Sequence, residues 1–386
     1  MKNKSADGLR GVAAFNVAIH HFVAAFLPMM LHNNYPSVFT ENKQPSTVFE
    51  LLTSPFFTLI YNGHFAVLIF FVLSGYVLSL PYYMENNKAK HTLSKRLLGR
   101  YLRLNIPIAA AIFLSFLFYK SGFYFNIQAA EISGSKNWLQ NFYPQGISPL
   151  TTIKEALYNS ILFGKELLVP PLWSLHIEFV GSVYVLLLYI LKPKNSTLTP
   201  MLIVFILIYA NNQQDSIYYF AIFFGSLLSK IEKSIKFRVV FLILGIYFGG
   251  FQFESIMYDF LPSLNFMGVD LWEKKNFYNC IGAVLITTAV IQGFGSVFFE
   301  SRVTQFLGRI SFSIYLLHFI VLCSFSSFFY IHLPKNSLFI TANFIIYIFI
   351  CFLFSIIFER FIDKSSIRIS HDFSSKIFSL IKIENK

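Results

Sequence analysis

The first long apolar segment contains an arginine and a histidine that a helix would place on one face. Arg10 and His21 are eleven residues apart in LRGVAAFNVAIHHF. At about 100° per residue they fall within ~20° of each other and ~16 Å apart along the axis. Ionisable groups are costly inside a membrane, so both are functional candidates. An elongated ligand with a phosphate end and a reactive end would fit this face, although a snorkelling arginine and a packing histidine would have the same spacing.

A second set of candidates lies in the basic sequence SKRLLGRYLRLNIP. Arg96, Arg100 and Arg103 recur at i, i+4 and i+7 and would form one basic stripe on a helix. Guanidinium groups bind phosphate oxygens in bidentate fashion. Pro107 fits the start of the following span, where its missing N–H costs least. An ordinary positively charged cytoplasmic loop would show the same composition.

The sequence PPLWSLHIEF places a carboxylate in an apolar segment. Ser174 and Glu178 share a face at i, i+4, whereas His176 projects elsewhere and is interpreted as a packing residue. If the helix begins at the outer surface, Glu178 lies ~12 Å into the membrane. In a hydrocarbon layer of about 30 Å, that depth matches the depth of His21. A carboxylate in the middle of a membrane indicates function.

A fourth polar stripe lies in LGRISFSIYLLHF. Ser311, Tyr315 and His318 recur at i, i+4 and i+7. Such a stripe faces a cavity or other helices, where it would act as interhelical hydrogen-bond glue. In FFVLSGYV, the pair Ser74-Gly75 permits close approach of a backbone or a ligand.

The composition predicts that membrane spans hold these residues. The chain of 386 residues is 55% hydrophobic and 13% charged, with a mean hydropathy of +0.58. A soluble chain would carry about a quarter charged residues. The net charge of +12 is dispersed in short runs between apolar segments, which argues against nucleic-acid binding. Cys280, Cys323 and Cys351 lie in apolar stretches without metal-site or disulfide spacing.

The predicted fold is an all-α bundle of about ten transmembrane helices in a single domain, 1–386, with a short basic tail, 359–386. Placing the N- and C-termini in the cytoplasm puts 23 of the 31 Lys and Arg residues on the inner side. Residues 150–163 are predicted to form an amphipathic surface helix. The predicted spans are 11–31, 59–82, 104–122, 170–191, 198–213, 216–230, 238–253, 277–298, 309–331 and 337–358.

Taken together and in this order, the motifs resemble the acyltransferase-3 family of membrane proteins, which includes bacterial O-antigen and polysaccharide O-acetylases. Arg10 and His21 match the family's pattern of an arginine, ten residues and a histidine. The resemblance spans residues 8 to about 360, and the chain looks like the stand-alone form without an appended esterase-like domain. The further matching motifs are FFVLSGY (70–76), RYLR (100–103) with Pro107, WSLxxE (173–178) and LGRISFSIYLLH (307–318).

The resemblance implies acyl transfer from cytoplasmic acyl-CoA, with acetyl-CoA as the default donor and no metal. His21 would carry the chemistry, as a base on a sugar hydroxyl or as the acyl acceptor itself. Glu178 would orient His21 or bind the acceptor. The residues expected to bind the donor are Arg10, Arg100, Arg103 and Ser74, and the expected supporting residues are Trp173, Ser174, Ser311, Tyr315 and His318.

The expected partners are acyl-CoA, membrane lipid and a glycan or lipid-linked sugar acceptor, such as O-antigen or capsule, in a bacterial inner membrane. A homo-oligomer is left open. Two other classes compete with this interpretation. A flippase or transporter of a lipid-linked saccharide would need inverted repeats or broken helices, and neither is visible. A haem-binding electron carrier is suggested only by the histidines that lie in predicted spans: His20, His21, His64, His176 and His318.

Overall fold

The computed structural model describes residues 3–39, 47–84, 88–191, 215–231, 237–266, 269–270 and 272–384. Within them the regular structure is helical, apart from the paired two-residue strands Asn265–Phe266 and Val269–Asp270. The principal helices are α1 (Lys4–Phe26), α2 (Gly63–Met84), α3 (Ala89–Lys120), α4 (Leu172–Leu191), α5 (Ser216–Leu228), α6 (Arg238–Gly249), α7 (Lys274–Ile291), α8 (Arg302–Val321), α9 (Ser337–Phe358) and α10 (Lys364–Glu384).

Shorter helical segments connect these helices. Two π-helical turns extend α8 and α9 without interruption: Leu322–Ser326 leads from α8 into Ser327–His332, and Glu359–Asp363 joins α9 to α10. The remaining short segments are Pro28–Asn34, Thr47–Leu52, Pro55–Thr58, Leu59–Tyr61, Asn126–Ser133, Lys136–Leu139, Pro149–Lys154, Glu155–Asn159, Ser160–Phe163, Ile256–Tyr258 and Ser296–Phe299.

Most of the predicted spans coincide with helices. Six helices of the described chain are long and apolar enough to cross a membrane, and they include α1 to α4, α8 with its extension, and the continuous helix of α9 and α10. The predicted spans 216–230 and 238–253 correspond to the shorter apolar helices α5 and α6, and 277–298 corresponds to α7. The predicted span 198–213 lies outside the described residues. The count of ten and the cytoplasmic position of the termini therefore stay predictions.

The third span extends further than the sequence suggested. Helix α3 begins at Ala89, and Pro107 lies inside it rather than at its start. The prediction for Pro107 is therefore wrong. The longer helix agrees with the predicted basic stripe, because Arg96, Arg100 and Arg103 all belong to one continuous helix.

Helices α1 and α8 run parallel and in register. Gly11 lies against Gly308, and ten residues further along both helices His21 lies against His318. A side chain at Gly11 would place its Cβ 2.3 Å from the backbone nitrogen of Gly308. Only glycine permits this approach of the two backbones. The close contact therefore sets the distance at which the two histidines meet.

Helices α2 and α5 make a second close contact. A Cβ at Gly75 would lie 1.7 Å from the carbonyl oxygen of Ile222, and one at Gly225 would lie 1.9 Å from that of Val72. The pair Ser74-Gly75 is expected to permit close approach of a backbone or a ligand. Gly75 permits the approach of a neighbouring helix backbone. Ser74, on the adjacent position, faces the cavity described below.

The segment between α3 and α4 folds back along α3. Residues 149–163 are helical, which confirms the predicted helix over 150–163. The middle of this segment packs against Asn105 of α3, whose side-chain amide donates to the carbonyl of Ala156 at 3.0 Å. The buried carboxylate of Glu155 accepts from the backbone N–H groups of Leu167 and Leu168 at 2.9 and 3.1 Å. The start of α4 is buried in the bundle, since Leu168, Val169 and Leu172 are each at most 1% exposed.

Candidate functional site

A cavity of about 720 Å³ opens between α1, α2, α3, α4 and α8. We call the end of the bundle that carries Arg10 and Arg309 the arginine end, and the opposite one the far end. Five arginines and three carboxylates line the cavity, which leaves two net positive charges when all are ionised. These residues are Arg10, Arg96, Arg100, Arg103, Arg309, Asp7, Glu178 and Asp363.

Three of the arginines are paired with the three carboxylates. Arg10 Nη2 lies 2.9 Å from Asp7 Oδ1 on the same helix and 3.4 Å from the carbonyl of Gly308. Arg103 Nη1 lies 2.6 Å from Asp363 Oδ1. Pairing holds the guanidinium groups in place, and their remaining N–H groups can still bind an anion.

Glu178 belongs to this cavity and not to the surroundings of His21. Its Oε1 accepts from Arg100 Nη2 and, at 2.6 Å, from Ser74 Oγ, while Arg100 Nε donates to Ser182 Oγ at 2.8 Å. Among the described residues, no hydrogen bond joins Glu178 to His21, whose partner is His318. These contacts do not support the expected role of orienting His21, and the alternative role of Glu178, binding the acceptor, stays a prediction. Glu178 follows Ser174 by about one helical turn on α4, so it lies beside Arg100 while Ser174 lies beside Tyr315.

His318 is the residue that contacts His21. Nδ1 of His21 lies 2.7 Å from Nε2 of His318, and the two rings are nearly coplanar, with an interplanar angle of 5°. His318 is fully buried, and its Nδ1 lies 2.9 Å from the carbonyl oxygen of Ile314, one turn earlier. The ring of Trp138 stacks on His21 at a centroid distance of 5.6 Å, and Phe319 meets it edge-on.

These contacts define the hydrogen positions of the neutral histidine pair. The carbonyl of Ile314 can only accept, so Nδ1 of His318 carries a hydrogen and Nε2 of a neutral ring accepts. Nδ1 of His21 must then donate to His318, and Nε2 of His21 keeps its lone pair. No described residue hydrogen-bonds this Nε2. His21 is therefore arranged as a base or nucleophile, with His318 as the group that fixes its tautomer.

Tyr315 and Ser174 lie between the cavity and the histidine pair. Their hydroxyl oxygens are 2.5 Å apart, and both reach the carbonyl of Pro171, at 3.0 Å from Ser174 and 3.2 Å from Tyr315. Both residues line the cavity, and the Tyr315 ring is 6.0 Å from the ring of His318. His21 and His318 are not among the lining residues, and Tyr315 brings the cavity lining within 6.0 Å of the His318 ring, at what we call the deep end of the cavity.

The other predicted residues are distributed around this site. Ser311 lines the cavity and donates to Gly308 O at 2.9 Å. Trp173 packs on Tyr218 outside the cavity lining, with ring centroids 5.4 Å apart. His176 contacts the carbonyl of Ile161 at 3.0 Å, which confirms its interpretation as a packing residue.

Sequence reasoning missed several residues of the cavity. Asp7 precedes Arg10 by one helical turn, so an i, i+3 pair was visible in the sequence. Arg309 stands in the quoted motif of α8 and was not singled out. Asp363 lies in the basic tail, 260 positions from Arg103, and no local pattern connects the two.

The fold and the site together place an arginine-lined cavity beside a histidine pair, in a bundle with helices long and apolar enough to cross a membrane. A family model described as an acyltransferase domain, acyltransferase-3, matches residues 3–360. The chain belongs to the acyltransferase-3 family, as the motifs predicted.

A curated relative agrees with the family. Acyltransferase R4 of a Phoma species is 29% identical over 142 residues, which are 31% of this chain and 29% of that protein. The similarity therefore covers less than a third of either protein. No solved structure matches the chain.

Proposed function

We propose that the protein transfers an acyl group, by default acetyl, from cytoplasmic acyl-CoA to a hydroxyl of a cell-surface or lipid-linked polysaccharide, such as O-antigen or capsule. We place this activity in a bacterial inner membrane. The observation that carries the proposal is the arginine-lined cavity whose deep end, at Tyr315, adjoins the His21–His318 pair.

The charge and size of the cavity favour coenzyme A as the donor. Coenzyme A carries a diphosphate and a phosphomonoester, and the cavity wall has two net positive charges before a ligand enters. Its volume of about 720 Å³ lies within the usual range of small-molecule sites. Arg10, Arg100 and Arg103 would bind the phosphates, and Ser74 would hold Glu178 beside Arg100. No metal is required for this binding.

The thioester would lie at the deep end, where the pantetheine arm extends past Tyr315 toward His21. The pair Ser174–Tyr315 must then separate or turn aside, because it lies between the cavity and the histidine pair. The distance is suitable, since Arg10 and His21 are ~16 Å apart along α1. An extended arm of pantetheine type spans a separation of this order.

In the direct mechanism, Nε2 of His21 removes the proton of the acceptor hydroxyl as the oxygen attacks the thioester carbonyl. The tetrahedral intermediate collapses, the C–S bond breaks, and the proton passes from His21 to the departing thiolate. General base catalysis of this kind contributes about 10²–10⁴ in rate. In the alternative mechanism Nε2 of His21 attacks the thioester carbonyl first, the C–S bond breaks and coenzyme A leaves as the thiolate. The acceptor hydroxyl then takes the acyl group from the acyl-imidazole, the N–acyl bond breaks, and the hydroxyl proton passes to the thiolate.

The glycans of the host test this proposal. Surface polysaccharide is isolated from cells that lack the gene and from cells that express the wild type or the His21→Ala variant, and O-acyl groups are located by NMR. We expect the acyl groups only with the wild type. Identical glycans in all three strains, with the protein present in the membrane, would contradict the proposed acceptor class.

The donor is tested separately in isolated membranes with labelled acetyl-CoA. Arg100→Gln combined with Glu178→Gln removes the ion pair without leaving a buried charge alone. We expect the KM for acetyl-CoA to rise about 10–100-fold, since hydrogen bonds to charged groups contribute about 1.5–3 kcal/mol. A change confined to the KM of the acceptor would contradict the assignment of Arg100 to the donor.

A further inference from the structure

The helix that follows the family match returns to the cavity. Helix α10 begins after residue 363, whereas the match to the acyltransferase domain ends at residue 360. It runs antiparallel to the first half of α3, with Ser370 against Gly99 and Phe378 against His91. The ring centroids of His91 and Phe378 are 4.6 Å apart. The segment is therefore docked on the helix that carries the basic stripe.

The docking brings a carboxylate and a hydroxyl to Arg103. Nη1 of Arg103 donates to Asp363 Oδ1 at 2.6 Å and to Ser366 Oγ at 2.9 Å. The ring of Phe312 lies below the guanidinium, 5.4 Å from its carbon. Arg103, Phe312 and Asp363 all line the cavity. These three contacts hold the Nη1 group and one face of the Arg103 guanidinium, which borders the proposed phosphate site.

The geometry leaves the other edge of Arg103 for a ligand. Among the described residues, Nε and Nη2 of Arg103 have no hydrogen-bond partner, and the side chain is 28% exposed. Asp363 is nearly covered, with 8% of its side chain exposed. Asp363 lines the cavity but is held on the side of Arg103 that carries Nη1, away from the Nε–Nη2 edge.

We propose that Asp363, the last residue of the π-helical turn before α10, is a positioning residue of the donor site, which holds Arg103 with its Nε–Nη2 edge toward a phosphate group of the donor. The inference rests on the proposed function, because it assumes that the cavity binds coenzyme A. An arginine fixed in its binding orientation loses less side-chain entropy when the ligand arrives, which strengthens binding without a direct contact to the ligand.

The test measures binding of coenzyme A to the full-length protein in detergent, together with KM and kcat for acetyl-CoA. Asp363→Ala removes the oxygen that holds Arg103, whereas Asp363→Asn keeps Oδ1 as an acceptor and removes the charge. We expect Asp363→Ala to weaken coenzyme A binding about 3–10-fold and to raise KM with kcat unchanged, an effect of about 0.7–1.4 kcal/mol. Asp363→Asn should bind as tightly as the wild type or more tightly.

Asp372 provides a matched control on the same helix. Its side chain is 70% exposed, so Asp372→Ala makes the same change of charge away from the cavity. It should leave binding unchanged. In an Arg103→Ala background, Asp363→Ala should have no further effect, because the residue acts through Arg103.

Two results would overturn the inference. One is an Asp363→Ala variant that binds coenzyme A as tightly as the wild type, which would leave Asp363 without a role in binding, or more tightly, which would make Asp363 a repelling charge. The other is additive effects of Asp363→Ala and Arg103→Ala. A wild-type protein that binds no coenzyme A would instead contradict the proposed function, so the two failures are distinguishable.

Discussion

Replacing His318 with leucine removes the acceptor that fixes the tautomer of His21. In the wild type, Nδ1–H of His21 donates to Nε2 of His318 at 2.7 Å, and the ring of His318 is fully buried. With leucine in that position, Nδ1–H of His21 faces an apolar wall. An unpaired buried donor costs about 1–3 kcal/mol, which favours the tautomer that carries the hydrogen on Nε2.

In that tautomer Nε2 of His21 carries a hydrogen and cannot accept the proton of the acceptor hydroxyl. The free-energy cost of restoring the reactive tautomer therefore lowers the rate of transfer. We expect kcat of His318→Leu to fall about 5–150-fold, the equivalent of 1–3 kcal/mol, with KM for acetyl-CoA unchanged. His318→Gln is the matched control, because its side chain carries an amide oxygen at a similar reach and can accept from Nδ1–H. It should recover most of the lost rate.

The assay follows labelled acetyl transfer in membranes that contain equal amounts of each variant. Equal losses in the leucine and glutamine variants would refute the tautomer argument, because packing alone would then explain the role of His318. A loss expressed in KM for the donor would refute it as well, since it would place His318 in the coenzyme A site.

Further predictions concern the donor path, the fold and the pH dependence of stability. Tyr315→Phe removes one hydroxyl of the pair at the deep end of the cavity, and we expect a change in kcat larger than the change in coenzyme A affinity, measured by transfer kinetics and by direct binding. Gly11→Ala forces a Cβ to within 2.3 Å of the Gly308 nitrogen, so we expect about 1–3 kcal/mol of destabilisation and a loss of activity, seen as a lower Tm in detergent. Burial raises the pKa of the Glu155 carboxyl above its ordinary value of 4.5, so the folded state favours the protonated form and loses stability as the pH rises through the raised pKa. Glu155→Gln should abolish that part of the pH dependence of Tm above pH 4.5, and an unchanged slope would contradict the assignment.

The sequence predicted well those features that depend on local spacing. The basic stripe of α3, the polar stripe of α8 and the face shared by Arg10 and His21 follow from helical periodicity, which does not depend on neighbouring helices. Tyr315 and His318 fall on one predicted stripe, and the structure places Tyr315 against His318 and His318 against His21. The family followed from the order of these motifs.

Which residue a side chain contacts depends on where each helix begins within the bundle. Local spacing in the sequence does not determine that position. A helix α4 that started at the outer surface would bring Glu178 to the level of His21. In the structure the start of α4 is buried, and Glu178 meets Arg100 instead. The pairing of Arg103 with Asp363 joins residues 260 positions apart, and only the docked position of α10 creates it.

The most direct measurement of the central claim uses purified full-length protein in lipid nanodiscs with labelled acetyl-CoA and the host's own polysaccharide. The wild type should transfer label to the polysaccharide, and His21→Ala should transfer none while it still binds coenzyme A with the affinity of the wild type. Full transfer by His21→Ala would contradict the catalytic role of His21. Absence of coenzyme A binding by the wild type would contradict the donor site itself.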